Sequence, residues 1–131
     1  MSKTCKVLIV EDDDEVRRLF GELLAGEGYD CVLASNGKEM RAALQAGDVE
    51  VVIIDVGLPG GEDGLCLARE ASGRGHGVIL VTGHDKHFDA VRKSGHRYLF
   101  KPFRLPSLLA LVDEALRAVN ARCVVNTRGY G

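Results

Sequence analysis

The stretch Val51-Val52-Ile53-Ile54-Asp55 is apolar at every position until it ends on an aspartate. A strand that is buried on both faces has a continuous apolar run of this kind, whereas a strand with one face in water alternates apolar and polar residues. The run therefore predicts a central strand of a parallel sheet, with Asp55 at its carboxyl end.

Shorter strand-like runs and amphipathic stretches alternate along the rest of the chain. Strands are predicted over 7–10, 30–34, 78–81 and 97–100, and helices over about 16–26, 63–71, 85–93 and 105–119. A further helix is predicted to open at Asn36, with Met40, Ala43 and Leu44 on its apolar face. In the first helix, apolar residues recur at intervals of three and four positions and are predicted to face inward. They are Val16, Leu19, Phe20, Leu23 and Leu24. Asn36, followed by Glu39, predicts a capped start for the second helix. This alternation is typical of an α/β fold, a five-stranded parallel sheet with helices on both faces.

Size and charge narrow the functional classes. A chain of 131 residues with 46% hydrophobic residues is sufficient for one domain. We predict that this domain covers residues 1–122 and that 123–131 are a C-terminal tail or linker stub, because periodicity is lost from about Asn120. The net charge is −2 with the basic residues scattered, which argues against direct nucleic-acid binding. No apolar run reaches the roughly 20 residues of a membrane span, so we expect a cytoplasmic protein without membrane insertion.

The cysteines and histidines do not form a recognisable metal motif. The four cysteines, Cys5, Cys31, Cys66 and Cys123, contain no CxxC pair and are predicted to be reduced, partly buried thiols. His84 and His87 lie three positions apart without a third ligand nearby in a fixed geometry, and solvated loop histidines are the favoured interpretation.

Polar residues follow four of the predicted strands. Glu11 and Asp12 follow the first strand, Asp55 ends the third, Thr82 follows the fourth, and Lys101 follows the fifth. The carboxyl ends of parallel strands meet at one edge of a sheet, so these side chains are expected to converge. Two carboxylates 4 Å apart repel by about 4 kcal/mol at an effective dielectric constant of 20. A divalent cation such as Mg²⁺, or Mn²⁺, and the Lys101 ammonium would offset that repulsion.

Such a site is suited to phosphoryl transfer. With the metal ion and Lys101 holding an incoming phosphoryl group, a carboxylate oxygen of Asp55 could attack phosphorus in line and form an aspartyl phosphate. Thr82 could turn its hydroxyl toward the new phosphoryl oxygens, and its movement would be the first mechanical consequence.

Five motifs, in order along the chain, carry a family resemblance. They are Glu11-Asp12 after a strand, Asp55-Val-Gly-Leu-Pro-Gly, Thr82-Gly83, Tyr98-Leu-Phe-Lys101 and Pro102-Phe103. Together they resemble the receiver domain of bacterial two-component response regulators, from Lys6 to about Ala118. A free-standing regulator of the chemotaxis-like type is favoured, and a receiver excised from a longer protein is the alternative. The resemblance implies a flavodoxin-like (βα)5 fold with strand order 2-1-3-4-5.

The resemblance also implies roles for individual residues. Asp55 would be the phosphoacceptor and Lys101 would pair with the phosphoryl group. Asp12, Asp55 and the backbone carbonyl of Gly57 would bind the metal ion, with Glu11 acting through water. Thr82 and Tyr98 would form a coupled switch, and the Lys101–Pro102 peptide bond is expected to be cis.

The implied function is that of a signalling domain and not of an enzyme, apart from catalysis of its own phosphorylation and dephosphorylation. The phosphoryl group would come from a sensor histidine kinase, a histidine phosphotransfer protein or acetyl phosphate. The output would be contact with a downstream protein. Family behaviour adds the hypothesis that a monomer dimerises on activation through the last two βα units.

The sequence departs from the family pattern in two places. Three residues separate Pro59 from Asp63-Gly64, where the family usually has two, so the loop beside the site should have an unusual shape. Thr82 and Lys101 are about three residues closer than usual, which shortens the fourth helix, a part of the usual output face. Gly57 and His84 occupy two positions that commonly tune the lifetime of the phosphoryl group, and that lifetime stays open.

Parts of the sequence also fit two other functions. A haloacid-dehalogenase-like phosphatase would use the acidic run from Asp12 to Glu15, but it needs a further acidic pair after Lys101 on a strand end. The only candidate is Asp113-Glu114, within a predicted helix. A pseudo-receiver or flavodoxin-like binding module would need no phosphorylation, and the intact set of site residues argues against it.

Overall fold

The structure, a computed structural model, describes residues 5–57 and 63–128. The strands are β1 (Lys6–Val10), β2 (Asp30–Ala34), β3 (Val49–Asp55), β4 (Gly77–Thr82) and β5 (Arg97–Phe100). The helices are α1 (Asp14–Gly26), α2 (Gly37–Ala46), α3 (Gly64–Gly73), α4 (Phe88–Lys93) and α5 (Leu105–Arg128), with a short 3-10 turn over Asp85–His87. All strand pairs are parallel, in the order β2-β1-β3-β4-β5, which confirms the predicted fold.

The sheet separates two apolar layers. Val52 and Ile54 of β3 face a layer that includes Met40 of α2, Leu67 of α3 and Val91 of α4. The alternate residues, Val51 and Ile53, face a layer to which α1 and α5 contribute Phe20, Leu24, Leu108 and Val112. Because β3 is buried on both faces, its continuous apolar run is explained, and Asp55 is placed where that burial ends.

The inward side of α1 is narrower than its sequence pattern predicts. Phe20 and Leu24 are buried, but Leu19 is 52% exposed, so its predicted inward position is wrong. Gly21 is also buried, and a Cβ on it would lie 3.2 Å from a methyl group of Leu33. The helix therefore contacts the sheet along Phe20, Gly21 and Leu24, which turns Leu19 toward solvent.

The start of α2 matches its predicted cap in part. The side chain of Asn36 accepts a hydrogen bond from the backbone N–H of Glu39 at 2.9 Å, as expected of a capping residue. The carboxylate of Glu39 does not return to Asn36, and instead accepts from the backbone N–H of Ser35 at 2.7 Å. The cap thus extends one residue further toward β2.

The fourth and fifth helices differ in how well they were predicted. The fourth helix is short, as expected, with six residues after the 3-10 turn. The fifth helix continues to Arg128, so the irregular tail predicted from Asn120 is helical backbone over most of its length.

The domain boundary at residue 122 stays a prediction, and the three residues between Pro59 and Asp63 lie outside the described part of the chain. Within that part, no helix has both the length and the apolar character to cross a membrane.

Candidate functional site

The predicted acidic residues meet at the carboxyl ends of β1 and β3. Glu11, directly after β1, is only 2% exposed, whereas Asp12 is exposed beside it. The side chain of Asp55, the last residue of β3, is 14% exposed. One carboxylate oxygen from each of these three residues lies within 4.8 Å of the others. The convergence predicted for these three carboxylates is confirmed.

Lys101 places its charge between two of the carboxylates. Its Nζ lies 3.4 Å from Oε1 of Glu11 and 3.5 Å from Oδ2 of Asp55. The backbone N–H of Lys101 donates to the carbonyl of Thr82 at 2.9 Å, which holds the end of β5 against the end of β4. The peptide bond between Lys101 and Pro102 is cis, as expected.

The electrostatics of the cluster favour an additional cation. Burial raises the pKa of Glu11, and a hydrogen bond and charge repulsion from Asp55 raise it further, against the opposing effect of Lys101. Partial desolvation and the neighbouring Glu11 raise the pKa of Asp12. Three carboxylates share one ammonium group, so full ionisation leaves a local excess of negative charge.

The donor set fits a hard divalent cation. Mg²⁺ takes oxygen ligands at about 2.0–2.1 Å, so two of its ligand oxygens stand at most about 4.2 Å apart. The carboxylate oxygens, within 4.8 Å of one another, need only a small closure or one bridging water to meet that spacing. In the described ranges this is the single group of three or more such ligands, so His84 and His87 gain no third ligand there.

The hydrogen bonds around Asp55 fix its orientation. Oδ1 accepts from the backbone N–H of Gly57 at 3.0 Å, while Oδ2 faces Lys101. One oxygen of Asp55 thus accepts a backbone hydrogen bond, and the other lies near a positive charge. Asp55, Gly57 and Lys101 line a cavity of about 250 Å³ together with Glu11 and Asp12. The other lining residues are Asp13, Val16, Gly83 and His84.

Gly57 and His84 lie together at this cavity. A Cβ on Gly57 would stand 3.5 Å from Cδ2 of His84 and 3.6 Å from Oδ1 of Asp55. The imidazole therefore stands beside the space that Gly57 leaves open. His84 is exposed, as predicted for a loop histidine, and its ring makes an edge contact with His87 at 6.2 Å.

The two predicted switch residues are in different environments. Thr82 is fully buried, and its hydroxyl oxygen accepts from the backbone N–H of His84 at 3.2 Å. Tyr98 is 37% exposed, with its ring 5.1 Å from that of Phe100. Phe100 in turn stacks on Phe88 of α4 at 3.9 Å, under the guanidinium of Arg92. An aromatic group thus joins α4 to β5 next to Thr82.

The sequence pattern missed Arg17. Its Nη1 donates to the backbone carbonyl of Glu11 at 2.7 Å and reaches that of Asp12 at 3.5 Å. Its Nη2 pairs with the carboxylate of Asp14. The spacing of Asp14 and Arg17 predicts their i,i+3 ion pair, but nothing in the sequence indicates the two backbone contacts.

The remaining predictions for polar residues can also be placed. Cys5 and Cys31 are half-buried thiols, as predicted, whereas Cys66 is exposed, so its predicted partial burial is wrong. The side chain of Cys123 lies outside the described residues. Glu114 lies in α5 and pairs with Arg97 at 2.8 Å, and Asp113 pairs with Arg117. The second acidic pair that a phosphatase would require is therefore absent from the strand ends of the described chain.

Sequence comparison connects this geometry with known proteins. A family model for the response regulator receiver domain matches residues 7–113. The transcriptional regulatory protein AruR of Pseudomonas aeruginosa is 34% identical over 128 residues, which cover 91% of this chain and 52% of AruR. The DNA-binding transcriptional regulator NtrC of Salmonella typhimurium is 35% identical over 116 residues, or 84% of this chain and 24% of NtrC. The chain thus spans about half or less of these relatives.

Solved structures show the same fold. A CheY-like receiver domain protein of Methanospirillum hungatei superposes with a TM-score of 0.81 at 26% identity, covering 92% of this chain and 99% of that one. The response regulator TrrA of Thermotoga maritima, in complex with Mg²⁺-BeF, gives a TM-score of 0.74 at 30% identity, with 85% and 98% covered.

Proposed function

Because this chain belongs to the response regulator receiver domain family, we propose that it is a phosphorylation-operated signalling switch in which Asp55 accepts the phosphoryl group. The observation that carries the proposal is the group of Glu11, Asp12 and Asp55 around the Lys101 ammonium at one edge of the sheet. The donor would be a phosphohistidine of a sensor histidine kinase or phosphotransfer protein, or a small donor such as acetyl phosphate.

The transfer uses groups that are already in place. A carboxylate oxygen of Asp55 attacks phosphorus, the new O–P bond forms, and the bond from phosphorus to the donor breaks with its electron pair leaving on the donor. The ammonium of Lys101, 3.5 Å from Oδ2, is close enough to pair with an oxygen of the arriving phosphoryl group. The N–H of Gly57 holds the other oxygen, so the carboxylate need not reorient before attack.

Glu11, Asp12, Asp55 and the carbonyl of Gly57 would hold Mg²⁺ or Mn²⁺, with Glu11 acting through water. When bound, the ion supplies charge neutralisation for the phosphoryl oxygens and for the carboxylates. Support comes from the donor chemistry of the cluster and from TrrA, a structural neighbour seen with Mg²⁺-BeF. Because burial raises the pKa of Glu11, binding of a cation should also compete with its proton.

Thr82 and Tyr98 would convert the chemistry into a change of surface. The Thr82 hydroxyl oxygen accepts from the N–H of His84 and would turn its own hydrogen toward a phosphoryl oxygen. Tyr98, exposed at the α4–β5 surface, would turn inward as Thr82 moves. The altered surface would then contact a downstream protein, and dimerisation through the last two βα units belongs to the same proposal. A cytoplasmic location is proposed with it.

The test is intact-protein mass spectrometry after incubation with Mg²⁺ and acetyl phosphate. We expect one added phosphoryl group, which is lost with Asp55→Asn and when the metal is chelated. An adduct that persists in Asp55→Asn would exclude Asp55 as the acceptor. Turnover of a phosphomonoester without an adduct would favour a phosphatase, and no reaction with either reagent would favour a binding module.

A further inference from the structure

The loop between β1 and α1 carries two of the proposed metal ligands, and the side chain of Arg17 contacts its backbone. The guanidinium of Arg17 donates through Nη1 to the carbonyl of Glu11 at 2.7 Å and lies 3.5 Å from that of Asp12. The same guanidinium pairs with Asp14, and the Arg17 side chain is only 18% exposed. One planar group therefore contacts three residues of the loop and the first turn of α1.

The contacts made by Arg17 are directed at the backbone and not at the carboxylates of the ligands. At the start of this loop the N–H of Glu11 donates to the carbonyl of Ala34 in β2 at 3.0 Å, and the N–H of Asp13 donates to Oε2 of Glu11 at 3.3 Å. At its end the Asp13 carboxylate caps α1, but among these bonds of the described residues neither the carbonyl of Glu11 nor that of Asp12 has another partner. Lys101 and the N–H of Asp13 contact the Glu11 carboxylate directly, and Arg17 holds the backbone from which that carboxylate projects. A guanidinium presents several donors in a rigid plane, which a lysine cannot reproduce.

We propose that Arg17 is a positioning residue: it holds the backbone of Glu11 and Asp12 so that their carboxylates face Asp55 at a spacing that a divalent cation can bridge. This inference rests on the metal site proposed above. It adds a residue outside the cluster whose loss changes the affinity of the site without removing any ligand.

The positioning role and simple charge repulsion predict opposite changes in Mg²⁺ affinity for Arg17→Gln. Removal of a positive charge near an acidic cluster reduces repulsion of Mg²⁺ and tightens binding. Loss of the backbone contacts lets the loop move and weakens binding. Supporting groups behind metal ligands typically contribute about 10-fold or more to affinity, so we expect a loss of about 10-fold if positioning dominates.

Arg18 provides a matched control. It carries the same charge one residue later, is exposed, and lies in the groove with Tyr29 and Leu33 on another side of α1. Arg18→Gln is therefore expected to leave Mg²⁺ affinity unchanged or to tighten it slightly. Arg17→Lys keeps the charge without the planar fork, and we expect it to restore only part of the affinity.

The experiment measures Mg²⁺ affinity by isothermal titration calorimetry and, in the metal-free protein, the exchange rate of the Asp13 amide by NMR. We expect Arg17→Gln to weaken Mg²⁺ binding about 10-fold and to speed exchange of that amide severalfold, with neither change in Arg18→Gln. Unchanged or tighter binding together with unchanged exchange overturns the inference. If the wild-type protein binds no Mg²⁺, the proposed metal site fails, and the exchange rate alone then decides the role of Arg17. Thermal melts identify any variant that is unfolded, in which case Arg17→Lys replaces Arg17→Gln in both measurements.

Discussion

Gly64, the first residue of α3, lies so close to the end of β3 that a Cβ on it would stand 2.8 Å from the Cα of Val56. The same Cβ would stand 3.0 Å from the carbonyl oxygen of Asp55. Both neighbours are backbone atoms, so no flexible side chain could move aside. The absence of a side chain at Gly64 thus lets α3 pack against the segment that carries Asp55.

We expect Gly64→Ala to lower the free energy of unfolding by about 1–3 kcal/mol, because the added methyl forces the backbone apart. Gly73 is the matched control: it ends the same helix, and a Cβ there would have no neighbour within 4 Å. Gly73→Ala should be neutral or stabilising through its helix propensity. Urea denaturation measures both, and equal effects of the two substitutions would contradict the proposed contact.

Asp12→Asn should stabilise the metal-free protein. Partial desolvation and Glu11 raise the pKa of Asp12, and a carboxyl whose pKa is raised by folding costs stability once the pH exceeds its ordinary pKa. Lys101 pairs with Glu11 and Asp55, so replacing Asp12 removes neither of those ion pairs. We expect a rise in melting temperature of about 2–5 °C at pH 7 without metal.

In saturating Mg²⁺, the melting temperature of the wild-type protein should exceed that of Asp12→Asn. The wild-type protein gains stability from the bound ion, and Asp12→Asn lacks one of the ligands. Glu15→Gln serves as the control, since it removes an exposed acidic charge from the first turn of α1, outside the cluster. A melting temperature of Asp12→Asn that stays above wild type in Mg²⁺ would argue that Asp12 does not bind the ion.

The ion pair between α2 and α3 gives a pH-dependent test. The hydrogen bond from Arg41, at 2.9 Å, is the main cause that lowers the pKa of Glu70 below its ordinary value of 4.5, and Arg74 contributes. A carboxyl with a lowered pKa stabilises the fold above its ordinary pKa, and this stabilisation is lost as the pH falls through the folded value. Glu70→Gln should therefore cost about 0.5–1 kcal/mol at pH 7. The difference from wild type should shrink as the pH is lowered below 4.5, and a difference that does not vary with pH would contradict this account.

Tyr98 should change environment when the site is occupied. In fluorotyrosine-labelled protein, we expect the ¹⁹F resonance of Tyr98, identified by its absence in Tyr98→Phe, to shift on addition of Mg²⁺ and beryllofluoride. The resonance of Tyr29, which lies in the groove between α1 and β2, should stay in place. A Tyr98 signal that does not respond, in a protein that is shown to bind the mimic, would exclude it from the switch.

The strand ends and the acidic cluster could be predicted from sequence because each depends on local chemistry, whereas the strand order is expected only from the family resemblance. A buried parallel strand must be apolar on both faces, and its carboxyl end must meet those of its neighbours. Asp55, Glu11, Asp12 and Lys101 follow directly from these two rules.

What sequence could not supply depends on packing between elements. Leu19 fits the helical repeat, yet it is exposed because α1 contacts β2 through the small Gly21. Arg17 binds two backbone carbonyls, and carbonyl directions depend on how the loop turns. Apolar residues of α5 lose their helical spacing after Asn120, although the helix itself continues to Arg128.

The brevity of α4 has a consequence for the surface beside Thr82. A helix of six residues contains only about two hydrogen bonds between its own N–H and C=O groups, because each bond spans four residues. Its attachment to the domain therefore depends mainly on Val91 and on the stack of Phe88 with Phe100. Segments with so little backbone bonding open locally at a small free-energy cost, well below that of global unfolding. This corner of the molecule should be the first to exchange its amides with solvent, and the easiest for an event at Asp55 to reshape.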